Sequence, residues 1–315
     1  MSGNAVPHVP KGNSGRRTRM RGFPPCYKRF FAIPAALFFI CAPIFMPEHI
    51  NLLFVGDIVS DSGISLLDTV LPSIIKKYSS DFVVINGENA HEGMGTNEHI
   101  VKHFYSLGAH VVTGGNHSFA KWKIYPYMKT DPKLLRPLNY PKGAHGYGYG
   151  IYEVPGRDVK IGVVNLMGRT FMQPLEDPFR AADAVIEKIR AETNLIFIDF
   201  HAEATAEKQA FGWYVDGRVS LVAGTHTHVP TNDHRILPKG TGYITDVGMT
   251  GAFNSVIGMD KDTAIKRFLL QTPHRYSSAN GDNRMCALHA KINIETGKCD
   301  HLEPVIYPSF KTSVL

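Results

Sequence analysis

The stretch Asn51-Leu-Leu-Phe-Val-Gly-Asp57 is an unbroken apolar run closed by a glycine and an acid. A short apolar run bounded by a turn signal reads as a buried strand. Asp81-Phe-Val-Val-Ile-Asn86 repeats the pattern, and Ala109-His-Val-Val-Thr113 repeats it again. Between the first two, Leu67, Val70, Leu71, Ile74 and Ile75 recur at helical spacing within Ile64–Tyr78, with Pro72 a candidate kink. Glu98–Leu107 reads as a second helix. The order β-α-β-α-β predicts an α/β fold, a sheet covered by helices.

The second half changes character. Tyr147–Val154 and Val159–Asn165 flank Pro155-Gly-Arg-Asp158, which is hairpin chemistry. Phe179–Glu192 reads as a helix. Asn194–Phe200, Val219–Ala223, Gly242–Thr245 and Met285–Ile294 read as further strands. No repeat and no internal linker divides this region. A parallel first half and a mixed second half predict two stacked sheets with helices outside.

Composition narrows the class. The chain has 315 residues, 43% apolar and 20% charged, which suits a globular protein and not a disordered, collagenous or polytopic membrane one. Four cysteines (Cys26, Cys41, Cys286, Cys299) exclude a dense disulfide scaffold, and no CxxC pair offers a thiolate zinc site. The net charge of +6 sits entirely in residues 1–49, which hold seven basic residues against Glu48. The remainder balances at 27 of each sign, so no bulk charge favours a polyanion and no DNA partner is expected. Residues 1–49 form a basic extension with an apolar run from Phe30 to Met46, interrupted by Pro34 and Pro43. The run is short for a spanning helix, which needs about 20 residues. Met46 is a credible start, so residues 1–45 are expected to be a start-site artefact or a dispensable extension in preference to a membrane anchor or export signal. The main domain is expected over 50–310, in the cytoplasm.

Polar clusters follow the strands, where open α/β sheets place ligands. They are Gly56-Asp57, Gly87-Glu-Asn89, Gly114-Gly-Asn-His117, Asp199-Phe-His-Ala-Glu203 and Gly224-Thr-His-Thr-His228. Glycines ahead of the polar residues are expected to let the chain turn sharply. Carboxylate, amide and imidazole together suit manganese, iron, magnesium or zinc and not copper. Six or more such ligands exceed the needs of one ion, and a carboxylate can bridge two in an arrangement suited to displacement at phosphorus. An extended His226-x-His228 would put two imidazoles on one face, one for each metal.

This order of motifs resembles the calcineurin-like metallophosphoesterases, and more closely the YmdB-type bacterial phosphodiesterases. The likeness lies in Leu53–Val59, Asn86–Ala90, Thr113–His117, Asp199–Thr205 and Gly224–Val229, extended by Ile236–Pro238 and Thr245–Gly251. The resemblance implies a four-layer α/β/β/α sandwich. It implies two divalent ions, iron or manganese ahead of magnesium or zinc. Asp57, Glu88, Asn89 and His228 would hold the first ion, Glu88 would bridge, and Asn116, His201 and His226 would complete the second. Where the wider superfamily has a histidine two residues after the aspartate, this chain has Val59, and Asn89 would supply the ligand. His117 would be the general acid, and a hydroxide between the metals the nucleophile. The implied activity is hydrolysis of 2′,3′- or 3′,5′-cyclic nucleotides. A phosphomonoesterase or nucleotidase on the same metals is an alternative, as is a non-catalytic regulator binding nucleotide or RNA ends. A homo-oligomer is compatible with the family. Ser60, His91 and Ser118–Lys121 depart from the branch pattern without removing a ligand.

Plainer readings stand beside these. Asp57 alone could cap a helix. Glu203, Glu207 and Lys208 could orient ligands or bind substrate, and surface charge suits them at least as well. Asp246 could orient a ligand or serve a turn. Met249 and Gly251 read as packing and turn residues. His91, His99, His103, His110, His145, His234 and His289 read as structural. Tyr147, Tyr149 and Tyr152 read as one face of a hairpin. Cys286 and Cys299 read as free thiols without a role.

Overall fold

In the computed structural model, residues 48–310 are described. All but the last two residues of the expected extension at 1–49 lie outside that range. In chain order the elements are β1 (His49–Val55), α1 (Ser60–Tyr78), β2 (Phe82–Asn86), α2 (Glu98–Ser106), β3 (Val111–Thr113), α3 (Tyr125–Met128), β4 (Tyr149–Glu153) and β5 (Lys160–Met167). There follow α4 (Pro178–Arg190), β6 (Ile196–His201), α5 (Thr205–Tyr214), β7 (Leu221–Thr225), β8 (Arg235–Ile236), β9 (Gly242–Ile244), β10 (Gly251–Ala252), α6 (Lys261–Leu270), β11 (Asn283–Asn293) and β12 (Cys299–Tyr307).

The alternation along β1 builds the layers. Leu53 and Val55 face α1 and α2, packing with Leu67, Val70, Leu71, Ile74 and Phe104. Leu52 and Phe54 face the opposite way, against Val163, Phe197, Leu221 and Ile244 of the second sheet. The far face of that sheet (Val164, Ile198, Phe200, Val222) packs on Val185, Ile186 and Ile189 of α4 and Phe211 of α5. Three apolar cores between four layers make the expected α/β/β/α sandwich. Strands covered on both faces read as continuous apolar runs, which is why they stood out.

The first sheet runs β10-β11-β1-β2-β3, with β12 beside β11; the second runs β4-β5-β6-β7-β9-β8. Both are mixed: β1, β2 and β3 are parallel, as expected of the first half, and β11 from the second half joins them, antiparallel to β1. In the second sheet, β5, β6, β7 and β9 are parallel between antiparallel edges. The hairpin at 155–158 forms between β4 and β5. Its tyrosines do not share a face: Tyr149 packs on the outer core and Tyr152 on the inner one. No helix among the described residues is long and apolar enough to cross a membrane.

Phe54 is fully buried between the sheets, its ring 4.8 Å from that of Phe197. Phe54→Ala is expected to cost about 3–5 kcal/mol, read as a lower denaturant midpoint at unchanged slope. A loss under about 1 kcal/mol would contradict this packing.

Candidate metal centre

Parallel strands that point the same way bring their C-terminal ends together. Asp57 follows β1, Glu88 and Asn89 follow β2, Asn116 and His117 follow β3, His201 ends β6, and His226 and His228 follow β7. The structure gathers all eight expected residues at this edge.

The glycines before them work by absence of bulk. Gly56, Gly115 and Gly224 lack the positive φ that a sharp turn would demand. A Cβ on Gly56 would stand 1.9 Å from the carbonyl oxygen of Gly248, and one on Gly224 1.8 Å from that of Thr245. A Cβ on Gly115 would stand 2.2 Å from Glu88 Oε2 and 2.4 Å from His201 Nε2, inside the cluster itself. His226 and His228 are the residues that turn: both have positive φ, at 100° and 67°. His226-x-His228 is therefore not extended.

Hydrogen bonds to neighbours set each imidazole. Asp199 lies buried between the sheets and accepts from Asn86 Nδ2 (3.0 Å), from the Thr113 hydroxyl, and from the Thr225 hydroxyl (2.7 Å). Thr225 Oγ1, having given its proton to Asp199, accepts from His201 Nδ1 at 2.9 Å. His201 therefore turns Nε2 to the centre. His228 Nδ1 donates to the Ile257 carbonyl at 2.8 Å, which leaves its Nε2 facing inward. His226 Nε2 meets Glu203 Oε2 at 3.0 Å, which leaves its Nδ1 facing inward.

Around His201 Nε2 stand Asn116 Oδ1 at 2.8 Å, His226 Nδ1 at 3.0 Å and Glu88 Oε1 at 3.1 Å. These are three acceptors about one nitrogen, which can carry at most one proton. Asp57 Oδ2 accepts from His226 N at 3.0 Å, while its buried Oδ1 has no partner. Asn89 Oδ1 is also buried without a partner, because its Nδ2 is turned to His228 Nε2 (3.0 Å) and Glu88 Oε1 (3.1 Å). A half-turn of this amide brings the oxygen inward, as the expected ligand role requires. Acceptors facing acceptors, and a buried carboxylate oxygen without a donor, fit cations.

The proton equilibria carry the same strain. Burial lifts the Asp57 carboxyl, although His228 and His201 act against it. Burial also lifts Asp199, to about 7, against the pull of His201 and the two hydroxyls. For Glu88, burial is outweighed by the charge and hydrogen bond of His201 and by His117, which hold it at about 2. His201 is the reverse: burial lowers it, but Glu88, Asp57 and Asp199 raise it to about 9. Burial, followed by the His201 charge, drives His226 down to about 3. Burial lowers His117 too, partly offset by Glu88. The cluster thus holds a proton on His201 where a metal would otherwise neutralise the carboxylates.

Two residues whose type suits surface charge prove otherwise. Lys208 is buried, donating to Asp246 Oδ2 and to the Thr225 carbonyl, each at 2.7 Å. Asp246 also accepts from Thr227 N at 3.0 Å, so it fixes the backbone between the two site histidines. Glu207 accepts from the Arg169 and Thr170 amides. The sequence reading assigned no role to Asn86, Asn165 or Asp199; Asn165 Oδ1 accepts from Gly114 N at 3.3 Å. Their signal is polarity inside otherwise apolar strands, and Asn86 and Asp199 also open two of the motif stretches. The centre opens into a cavity of about 340 Å³ whose other walls include Met94, Ile257, Met259, Arg267 and Tyr276.

Known proteins share this plan. A 2′,3′-cyclic-nucleotide 2′-phosphodiesterase of Bacillus subtilis (strain 168) is 45% identical over 256 residues, 81% of this chain and 96% of that one. A hypothetical protein from Thermus thermophilus superposes with a TM-score of 0.76 at 40% identity, covering 82% of this chain and 99% of its own. A crystal structure described as a novel phosphatase from Mycoplasma pneumoniae gives 0.78 at 31% identity, covering 83% and 94%. Residues 53–305 match the family described as YmdB-like protein. With nearly all of the described residues accounted for in this way, the protein belongs to the YmdB-like family.

Proposed function

We propose that this chain is a phosphodiesterase that opens 2′,3′-cyclic nucleotides at a centre of two divalent ions. Phosphoesterase activity accords with the Bacillus relative and with the family. The observation that carries the metal reading is the ring of acceptors about His201 Nε2. Asp57, Glu88, Asn89 and His228 would hold one ion and Asn116, His201 and His226 the other, with Glu88 common to both. Nitrogen and oxygen ligands of this kind suit manganese or iron. When bound, the ions supply an activated water and neutralise charge on the phosphoryl oxygens. We assign this activity to residues 50–310 and treat 1–49 as an extension.

The chain's own groups do the rest. His117 lines the cavity beside Glu88, within reach of a bound diester. Its Nε2 now accepts from Asn116 Nδ2 at 3.1 Å. Protonated, the ring can pass a proton to the leaving ribose oxygen; its lowered pKa makes that proton easier to give. Arg267 offers a guanidinium to phosphate and Tyr276 a ring to the base, on the wall facing the centre. The cavity is of a size that suits a mononucleotide.

Chelator-stripped protein is expected to be inactive on bis-p-nitrophenyl phosphate and 2′,3′-cAMP, and to recover with Mn²⁺. His117→Ala should lower kcat by about 10²–10⁴ while keeping its metal. Faster turnover of p-nitrophenyl phosphate would make the protein a monoesterase, and preference for 3′,5′-cAMP would change the substrate. Tight nucleotide binding without turnover would make it a regulator.

Gly115→Ala tests the cradle separately. It should bind metal at least about tenfold more weakly, with the fold intact by circular dichroism. Unchanged metal content in this variant would remove Gly115 from the centre.

A further inference from the structure

On the helix-covered face of the first sheet, β11 and β12 bring together His289, His301 and Glu303. His289 and Glu303 are paired directly across the ladder, and His301 lies two residues earlier on the same face of β12. Each offers one ligand atom, and the three atoms lie within 4.8 Å of one another. None of them lines the catalytic cavity. The ladder sets His289 beside Leu53, four residues before Asp57.

A chain of hydrogen bonds fixes the His289 tautomer. Arg157 holds Asp81, with Nη2 at 3.1 Å. Asp81 Oδ2 accepts from Asn51 N at 2.7 Å and from Asn51 Nδ2 at 3.3 Å. Asn51 is therefore turned with Oδ1 toward His289, and the 3.1 Å contact between them is donated by His289 Nε2. Nδ1 is left with a bare lone pair. That atom is buried without a partner, in a side chain only 3% exposed. Glu303 is set as well: its Oε1 accepts from the Tyr78 hydroxyl at 3.0 Å. Its Oε2 stands 3.6 Å from His301 Nε2, too far for a hydrogen bond. Tetrahedral zinc at ordinary bond lengths of about 2.0–2.1 Å holds its ligand atoms at about this spacing.

We propose that His289 Nδ1, His301 and Glu303 form a second, separate site for a zinc-class divalent cation. Imidazole ligands select such ions over magnesium and calcium. Asn51 and Tyr78 orient the ligands, as hydrogen-bonded partners of metal ligands commonly do. The site lies at the C-terminal end of α1, where the helix dipole favours a cation. Lys77 and Lys291 act against it electrostatically, and one carboxylate partly offsets them. An ion here ties β12, which pairs only with β11, to the sheet and to the end of α1.

The test compares chelator-stripped full-length chain with His301→Ala and Glu303→Gln. His301 is half exposed and Gln keeps the Tyr78 contact, so both variants should fold. After equilibration with micromolar Zn²⁺ and gel filtration, the unmodified chain should carry one more zinc per chain than either variant. With Co²⁺ it should show a tetrahedral absorption component that both variants lack. Asn51→Ala should weaken this zinc by about 10–100-fold. The count is a difference between chains, so it reads the same whether or not the catalytic centre takes up zinc. Equal stoichiometry and equal cobalt spectra in all three chains would overturn the proposal.

Discussion

One buried carboxylate joins the two halves of the molecule. Asp199 rises from the second sheet and accepts hydrogen bonds from Asn86 and Thr113 of the first and from Thr225 of its own. The strand ends of both sheets are thereby held at one level. Through Thr225 the same carboxylate decides which nitrogen of His201 carries the proton, and so which one faces the centre. A fully buried carboxylate is costly unless its oxygens are satisfied, and here three donors share the task. The orientation of His201 at the centre rests on this arrangement.

The histidine loop after β7 is held by the same kind of force. Positive φ at His226 and His228 costs on the order of 1–3 kcal/mol each. Two buried carboxylates offset that cost: Asp57 receives the amide of His226, and Asp246 the amide of Thr227. Asp246 is neutralised in turn by Lys208, which also holds the Thr225 carbonyl. Asp57, itself at the centre, and the Asp246–Lys208 pair behind it thus fix the torsions that present both imidazoles. Close approach does the remaining work, since Gly56 and Gly224 let the segments around Thr245 and Gly248 pass where a side chain would block them.

How far each element was legible follows from its burial. β1, β2, β6 and β7 were readable because strands covered on both faces must be apolar throughout. β12 escapes a sequence reading because it is an edge strand: Asp300, His301 and Glu303 break up its apolar residues without a period of two, and Pro304 is tolerated where no further strand pairs. α5 was missed because its apolar residues trace only a weak stripe and no side chain caps it. α6 buries only Ala264 and leaves Phe268, Leu269 and Leu270 exposed, so it shows no buried face to read. Its residue Arg267 nonetheless reaches the cavity, as do Met94 and Tyr276 from loops without regular pattern.

The sequence by itself determined the fold class, most of the strands and the residue types at their ends. Those depend on local periodicity and on residue type, which the chain carries everywhere. Tertiary structure alone decided that late strands join the first sheet antiparallel and that the site glycines serve close approach instead of turning. It also decided that Lys208 is a buried partner and that Asp199 governs His201. Each of these depends on which distant segments meet. Hydrogen-bond direction, desolvation and excluded volume are properties of such pairs, and no stretch of sequence holds both members.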